Sequence, residues 1–130
     1  MIGTGLDRVY PAANRELAHR IAGNGLLVSE FPTGTPPLAP NFPRRNRIIA
    51  GLADATLVVE SAVKGGAMVT ADIAFSYDRQ VMAVPGRATD PMSGGTHFLI
   101  KSQVASLVEN SADVAGLAGW KECSESQKNL

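Results

Sequence analysis

The sequence predicts an α/β domain built on a mostly parallel sheet, with helices on both faces. Three observations predict it. Short apolar runs of strand length recur along the chain. Segments with helical spacing separate them. Each run is nearly continuous in apolar residues, as strands covered on both faces are, and not alternating like half-solvated antiparallel strands. Right-handed crossovers would place helices in two outer layers, giving a three-layer α/β/α arrangement.

Pro11 opens a first helix, in which Leu17, Ala18, Ile21 and Ala22 share a face, and Gly23 and Gly25 end it. Leu26–Glu30 reads as a buried strand. Pro43 opens a second helix with Ile48, Ile49 and Leu52 as its stripe. Strands follow at Thr56–Glu60 and Val81–Pro85, with a weaker one at Ala105–Val108. Gly65-Gly66 introduces a helix from Met68 to Tyr77, and Ser93-Gly94-Gly95 one from Thr96 to Lys101. Ser111 caps a last helix over Ala112–Leu117. The segment from Lys121 is polar and expected to fray.

The 130 residues hold 12 Lys plus Arg and 12 Asp plus Glu, so the formal net charge is zero. That excludes a strongly basic nucleic-acid coat and a polybasic membrane binder, but not a local patch. An apolar fraction of 45% with 18% charged residues is a globular profile. The lone cysteine, Cys123, allows no intrachain disulfide and no thiolate metal site. No apolar run is long enough for a membrane span. The first ten residues lack the positive start and apolar block of a signal peptide. The expectation is a cytoplasmic protein without a cofactor.

In open parallel sheets, ligands bind beyond the C-terminal strand ends. After Glu30 comes a proline-stiffened loop that delivers Asn41-Phe42-Pro43-Arg44-Arg45-Asn46-Arg47. From Phe31 to Ala53 there are three arginines and no acidic residue. They lie at a helix start, where the dipole already favours an anion. At about 100° per residue, Arg45 aligns with Ile48, Ile49 and Leu52, and needs an acidic or phosphate partner. Arg44 and Arg47 fall together on another side. Arginines beside an aromatic ring, here Phe42, combine phosphate pairing with base stacking, the chemistry of single-stranded nucleic-acid binding. A solvated arginine face with an internal Arg45 ion pair explains the same run. After Glu60, Lys64-Gly65-Gly66 with Thr70 offers donors to a phosphate, or simply a tight strand–helix turn. It is not a Walker loop. His19 and His97 form no cluster for a metal, and no nucleophile elbow is present. Glu30 and Glu60 end two strands; they either do acid–base work or, more simply, hold Arg45 or Arg47 in place.

Gly3-Thr4-Gly5-Leu6-Asp7-Arg8-Val9-Tyr10-Pro11, Leu27-Val28-Ser29-Glu30-Phe31-Pro32, Gly34-Thr35-Pro36-Pro37, Asn41–Leu52, Val58-Val59-Glu60-Ser61-Ala62 and Ala83-Val84-Pro85-Gly86 closely resemble the DprA/Smf family of DNA-processing proteins. The resemblance runs from Gly3 to about Asp113. It implies an extended Rossmann-like domain that binds single-stranded DNA, loads the RecA recombinase during natural transformation and forms homodimers. It implies no enzymatic activity. It places Phe42, Arg45, Asn46 and Arg47 at the DNA cleft, with Lys64 to Thr70 on the same crevice. Two departures stand out: the family pattern begins before this chain, with a strand and a Gly-Ser/Thr-Arg turn, and a lysine found in many members is Ala39 here. The expected organisation is therefore a partial DprA-type domain over 1–118, lacking the N-terminal strands, with a polar tail over 119–130. The runner-up reading is a nucleotide-binding enzyme using Glu60 or Glu30; a third is a fragment without activity.

Overall fold

A computed structural model describes residues 1–120. Residues 121–130, with Cys123 and the expected fraying, lie outside the described part. A single 3-10 turn, Ala12–Asn14, leads into α1 (Arg15–Asn24). Then come α2 (Asn41–Leu52), β1 (Ala55–Val58), α3 (Gly66–Ser76), β2 (Gln80–Ala83), α4 (Gly94–Lys101), β3 (Ser106–Leu107) and α5 (Ser111–Ala118).

The strands form one parallel sheet in the order β1-β2-β3. Thr56 pairs in register with Val81, Val58 with Ala83, and Ala83 with Leu107. Val58, Val81 and Ala83 face a core completed by Met68, Ala71 and Ala74 of α3, Leu99 of α4, and Ala50 of α2. The alternate positions, Leu57 and Met82, face the other layer, where Val114 of α5 and Trp120 stand over Leu57, Val84 and Val108. The three-layer α/β/α expectation holds.

Three sequence expectations do not. Leu26–Glu30 is not a strand: it is extended, but only one backbone bond, from the Ile2 N–H to the Val28 carbonyl (2.9 Å), ties it sideways. Leu26 is 82% exposed, so the apolar run lacks the two-sided cover that defines a central parallel strand. The Ile48–Ile49–Leu52 stripe is not the buried face of α2. Ala50 is fully buried, whereas Leu52 is 76% exposed. α2 lies against α3, with Ala50 in the shared core and Gly51 near the Tyr77 ring. The cap of α5 is Asn110, whose side chain accepts from the Asp113 N–H (2.9 Å), one residue before the expected Ser111. Just after α5, the Trp120 indole N–H donates to Asp54 Oδ2 at 3.3 Å.

Topology places the site. α2 runs into β1 through a short link, so its N-terminus lies at the opposite end, beside the C-terminal ends of the strands. α3 and α4 each start there after leaving β1 and β2. Three helix N-termini thus point to one edge of the sheet. α1 contributes no buried residue to either layer.

Candidate nucleic-acid interface

The site grows from the start of α2. Pro40 precedes the helix and no side chain caps it. No acidic residue stands in its first turn. Arg44 closes that first turn, where positive charge is disfavoured unless an anion is near, and Arg45 and Arg47 follow in the second.

Each arginine is held differently. Arg47 forms an ion pair with Glu30, which is only 16% exposed in its side chain. Arg44 Nε lies 3.9 Å from the same carboxylate and remains 67% exposed. Its guanidinium also sits 5.9 Å from the centre of the Phe31 ring. Arg45 Nη1 donates to the Met1 carbonyl at 3.0 Å and Nε to Asn46 Oδ1 at 3.2 Å. Its guanidinium covers the Phe42 ring at 5.4 Å. Among the described residues Arg45 has no carboxylate partner; a carbonyl, an amide and a ring surround it.

Of the two glutamates read as strand ends, Glu30 pairs with arginine. Glu60 does not: it is exposed and pairs with no arginine among the described residues. Its side chain follows the end of β1, on a different element from the Glu30 loop.

A hydrogen-bonded turn shapes the floor. The Ser29 hydroxyl donates to the Thr4 carbonyl (2.6 Å) and accepts from the Phe31 N–H (3.0 Å). The Gly5 N–H donates to the Thr35 carbonyl, and the Gly34 N–H to Asp7 Oδ1 at 2.8 Å. The Gly34 bond, aided by Arg8, holds the exposed Asp7 carboxyl below its usual value of 3.8. At Gly3 an added Cβ would stand 2.9 Å from the Phe42 ring, so the bare backbone is what lets the ring lie down. Tyr10 meets the same ring, with centroids 6.0 Å apart and planes inclined 46°. Aromatic residues make up 5% of the chain, yet Tyr10, Phe31 and Phe42 converge here. The sequence reading named only Phe42. Tyr10 and Phe31 were visible as residues, but their convergence depends on the Gly3–Thr4–Gly5 turn.

The loop after β1 has a divided role. An added Cβ at Gly65 would collide with Ser61 Oγ (2.2 Å), whereas Gly66 faces open space. The Ser61 N–H donates to the Met92 carbonyl, and the Gly95 N–H to the Ser61 carbonyl at 2.7 Å. Gly65 therefore serves the junction between two loops. Lys64 and Gly66 remain exposed, and Thr70 is half-buried on α3. Asn41 is half-buried, and its side-chain amide nitrogen has no hydrogen-bond partner.

With this geometry in view, comparison with known proteins is decisive. The family model for DNA recombination-mediator protein A matches residues 1–118. The chain belongs to that family. It is 47% identical over 115 residues to Protein Smf of Escherichia coli, covering 88% of this chain and 30% of that protein. It is 43% identical over 114 residues to the DNA processing protein DprA of Streptococcus pneumoniae, covering 88% and 40%. The solved structure of the pneumococcal DNA processing protein A superposes with a TM-score of 0.84 over those same shares. A second solved relative, DNA processing protein A from Helicobacter pylori, was studied for its single-stranded DNA binding mode. It matches at a TM-score of 0.82 and 28% identity, over 92% of this chain and 55% of that one. The chain thus spans about a third of the length of the curated relatives. The Rossmann-like fold is shared with these family members. No described helix is long and apolar enough to cross a membrane.

Proposed function

We propose that this chain carries the strand-gripping part of a recombination mediator. It binds single-stranded DNA and delivers it to a RecA-type recombinase during DNA uptake in the cytoplasm, as a homodimer and without catalysing a reaction. The observation that carries the reading is the cluster of Arg44, Arg45 and Arg47 with the Phe31 and Phe42 rings at the start of α2. Only one carboxylate, Glu30, offsets them among the described residues. Phosphates pair with the guanidinium groups and bases stack on the rings, a combination that tolerates any sequence. Asn41 and Asn46 add polar contacts. Lys64, the Gly66 N–H and Thr70 extend the track along the same edge of the sheet, and Gly65 keeps that loop in place.

The test is binding of a labelled oligothymidine to the chain at several salt concentrations. Each phosphate contact on a single strand contributes a slope of about −0.7 in log K against log salt. Arg44→Gln with Arg45→Gln is expected to flatten the slope by about 1.4, the sum of two such contacts. Binding that ignores both salt and these substitutions overturns the reading. Acceleration of RecA filament formation on the bound strand, and sedimentation as a dimer, check the delivery step and the assembly.

A further inference from the structure

A second basic hollow lies next to the aromatic pair. Arg8, Arg15 and His19, with Leu6, Asp7 and Val9, line a concavity of about 400 Å³. Arg15 and His19 are four apart on α1, so their side chains are neighbours on one helix face. Among the described residues neither has an ion-pair or hydrogen-bond partner. Arg8 has only an exposed pair with Asp7 at 3.7 Å, which is worth little. Asp7 itself is committed to the Gly34 N–H, so its carboxylate is there to hold the turn.

Tyr10 stands between this hollow and the α2 cluster. It follows Val9, precedes α1, and is 59% exposed while touching Phe42. The two rings are already in contact at an inclination of 46°, so no base can enter between them. The outer face of Tyr10 is a separate stacking surface.

We infer that the hollow is a phosphate subsite for the nucleotide bound beyond Phe42, and that Tyr10 stacks that nucleotide's base. The ligand class is a phosphodiester-linked base, recognised by charge and by its π-face. Arg15 and His19 supply donors to the phosphate, and Arg8 exchanges its weak carboxylate partner for it. This rests on the single-stranded DNA reading above, and it lengthens the bound segment toward α1.

The test is a series of oligothymidines of increasing length, titrated against the 130-residue chain, Tyr10→Leu, Tyr10→Phe and the pair Arg15→Gln with His19→Gln. Arg45→Gln serves as the reference for the α2 cluster. The expected result is length-selective. The shortest binding oligomers lose nothing in the Arg15/His19 variant, whereas longer ones lose affinity and their salt slope flattens by about 0.7 for each lost contact. Tyr10→Leu weakens the longer oligomers by about five- to tenfold, the low end of a stacking loss, and Tyr10→Phe keeps the affinity. Tyr10, Arg15 and His19 are exposed, and unchanged melting temperatures of their variants confirm intact folding. If Arg45→Gln weakens binding while the Tyr10 and Arg15/His19 variants match the parent at every length, the subsite is overturned and the α2 reading stands. If Arg45→Gln also has no effect, both readings fall.

Discussion

Gly95→Ala tests how the two loops at the sheet edge are joined. An added Cβ would lie 2.6 Å from the Ser61 carbonyl oxygen, 2.7 Å from that of Ala62 and 2.9 Å from Met68 Sδ. The first two are backbone atoms, so no rotamer change relieves them. The loop carrying Lys64 must shift by several tenths of an ångström, and the 2.7 Å bond from the Gly95 N–H to the Ser61 carbonyl stretches with it. Overpacking of this kind costs about 1–3 kcal/mol, and a weakened hydrogen bond adds about 1 kcal/mol. Alanine's better helix propensity returns about 1 kcal/mol. The net loss is about 1–3 kcal/mol, which lowers Tm by roughly 3–15 °C for a domain of this size. Thermal melts followed by circular dichroism measure it. Gly66→Ala is the matched comparison: its added Cβ meets nothing within 4 Å. It is expected to stabilise by about 0.4–1 kcal/mol through the unfolded state. On the proposed reading, in which a phosphate approaches the start of α3, the added methyl group nevertheless weakens oligonucleotide binding. Equal melting temperatures for the two variants would refute the packing account of the junction.

Other outcomes follow from single contacts. Arg47→Ala leaves Glu30, a carboxylate 16% exposed, with only its 3.9 Å contact to Arg44, and is expected to lower stability by about 1 kcal/mol as well as DNA affinity; urea unfolding separates the two losses. Arg79→Ala removes the Nη2 bond to the Gly51 carbonyl (2.8 Å) at the far end of the helices, and lowers stability by about 1 kcal/mol with no change in DNA binding. Asp7→Asn lowers Tm at neutral pH. The Asp7 pKa is depressed in the folded state, so its contribution is present above the ordinary value of 3.8 and fades as pH falls through the folded value. The difference in Tm between parent and variant should therefore close in acid. Glu60→Gln leaves both stability and oligonucleotide affinity unchanged, and a nucleotide turnover abolished by it would revive the enzymatic reading.

Much of this was legible in the residues. The β1, β2 and β3 runs, the glycine turns before α3 and α4, and the charge at the start of α2 all depend on local pattern, and local pattern is what a sequence prints. The failures share a cause. Leu26–Glu30 has the composition of a buried strand, but whether an extended segment becomes a strand is decided by its neighbours. Leu52 lies in phase with Ile48, but the residue of α2 that enters the core with Ala71 and Ala74 of α3 is Ala50, which that stripe leaves out. Helical phase aligned Arg45 with Ile48 and Ile49 and could not name its partners, since a carbonyl 44 positions away leaves no trace in spacing. Tyr10 reached the site the same way, carried there by a turn.

The absence of any buried residue from α1 has a consequence for hydrogen exchange. With so little packing to hold it, α1 can open without disturbing the sheet, and its amides should exchange through local opening at a small free energy. The amides of β2, where Val81, Met82 and Ala83 are all buried, should exchange only when the whole domain unfolds. A strand of DNA that engages Arg15 and His19 would slow exchange in α1 more than anywhere else. Protection there would record how far along the protein the nucleic acid reaches.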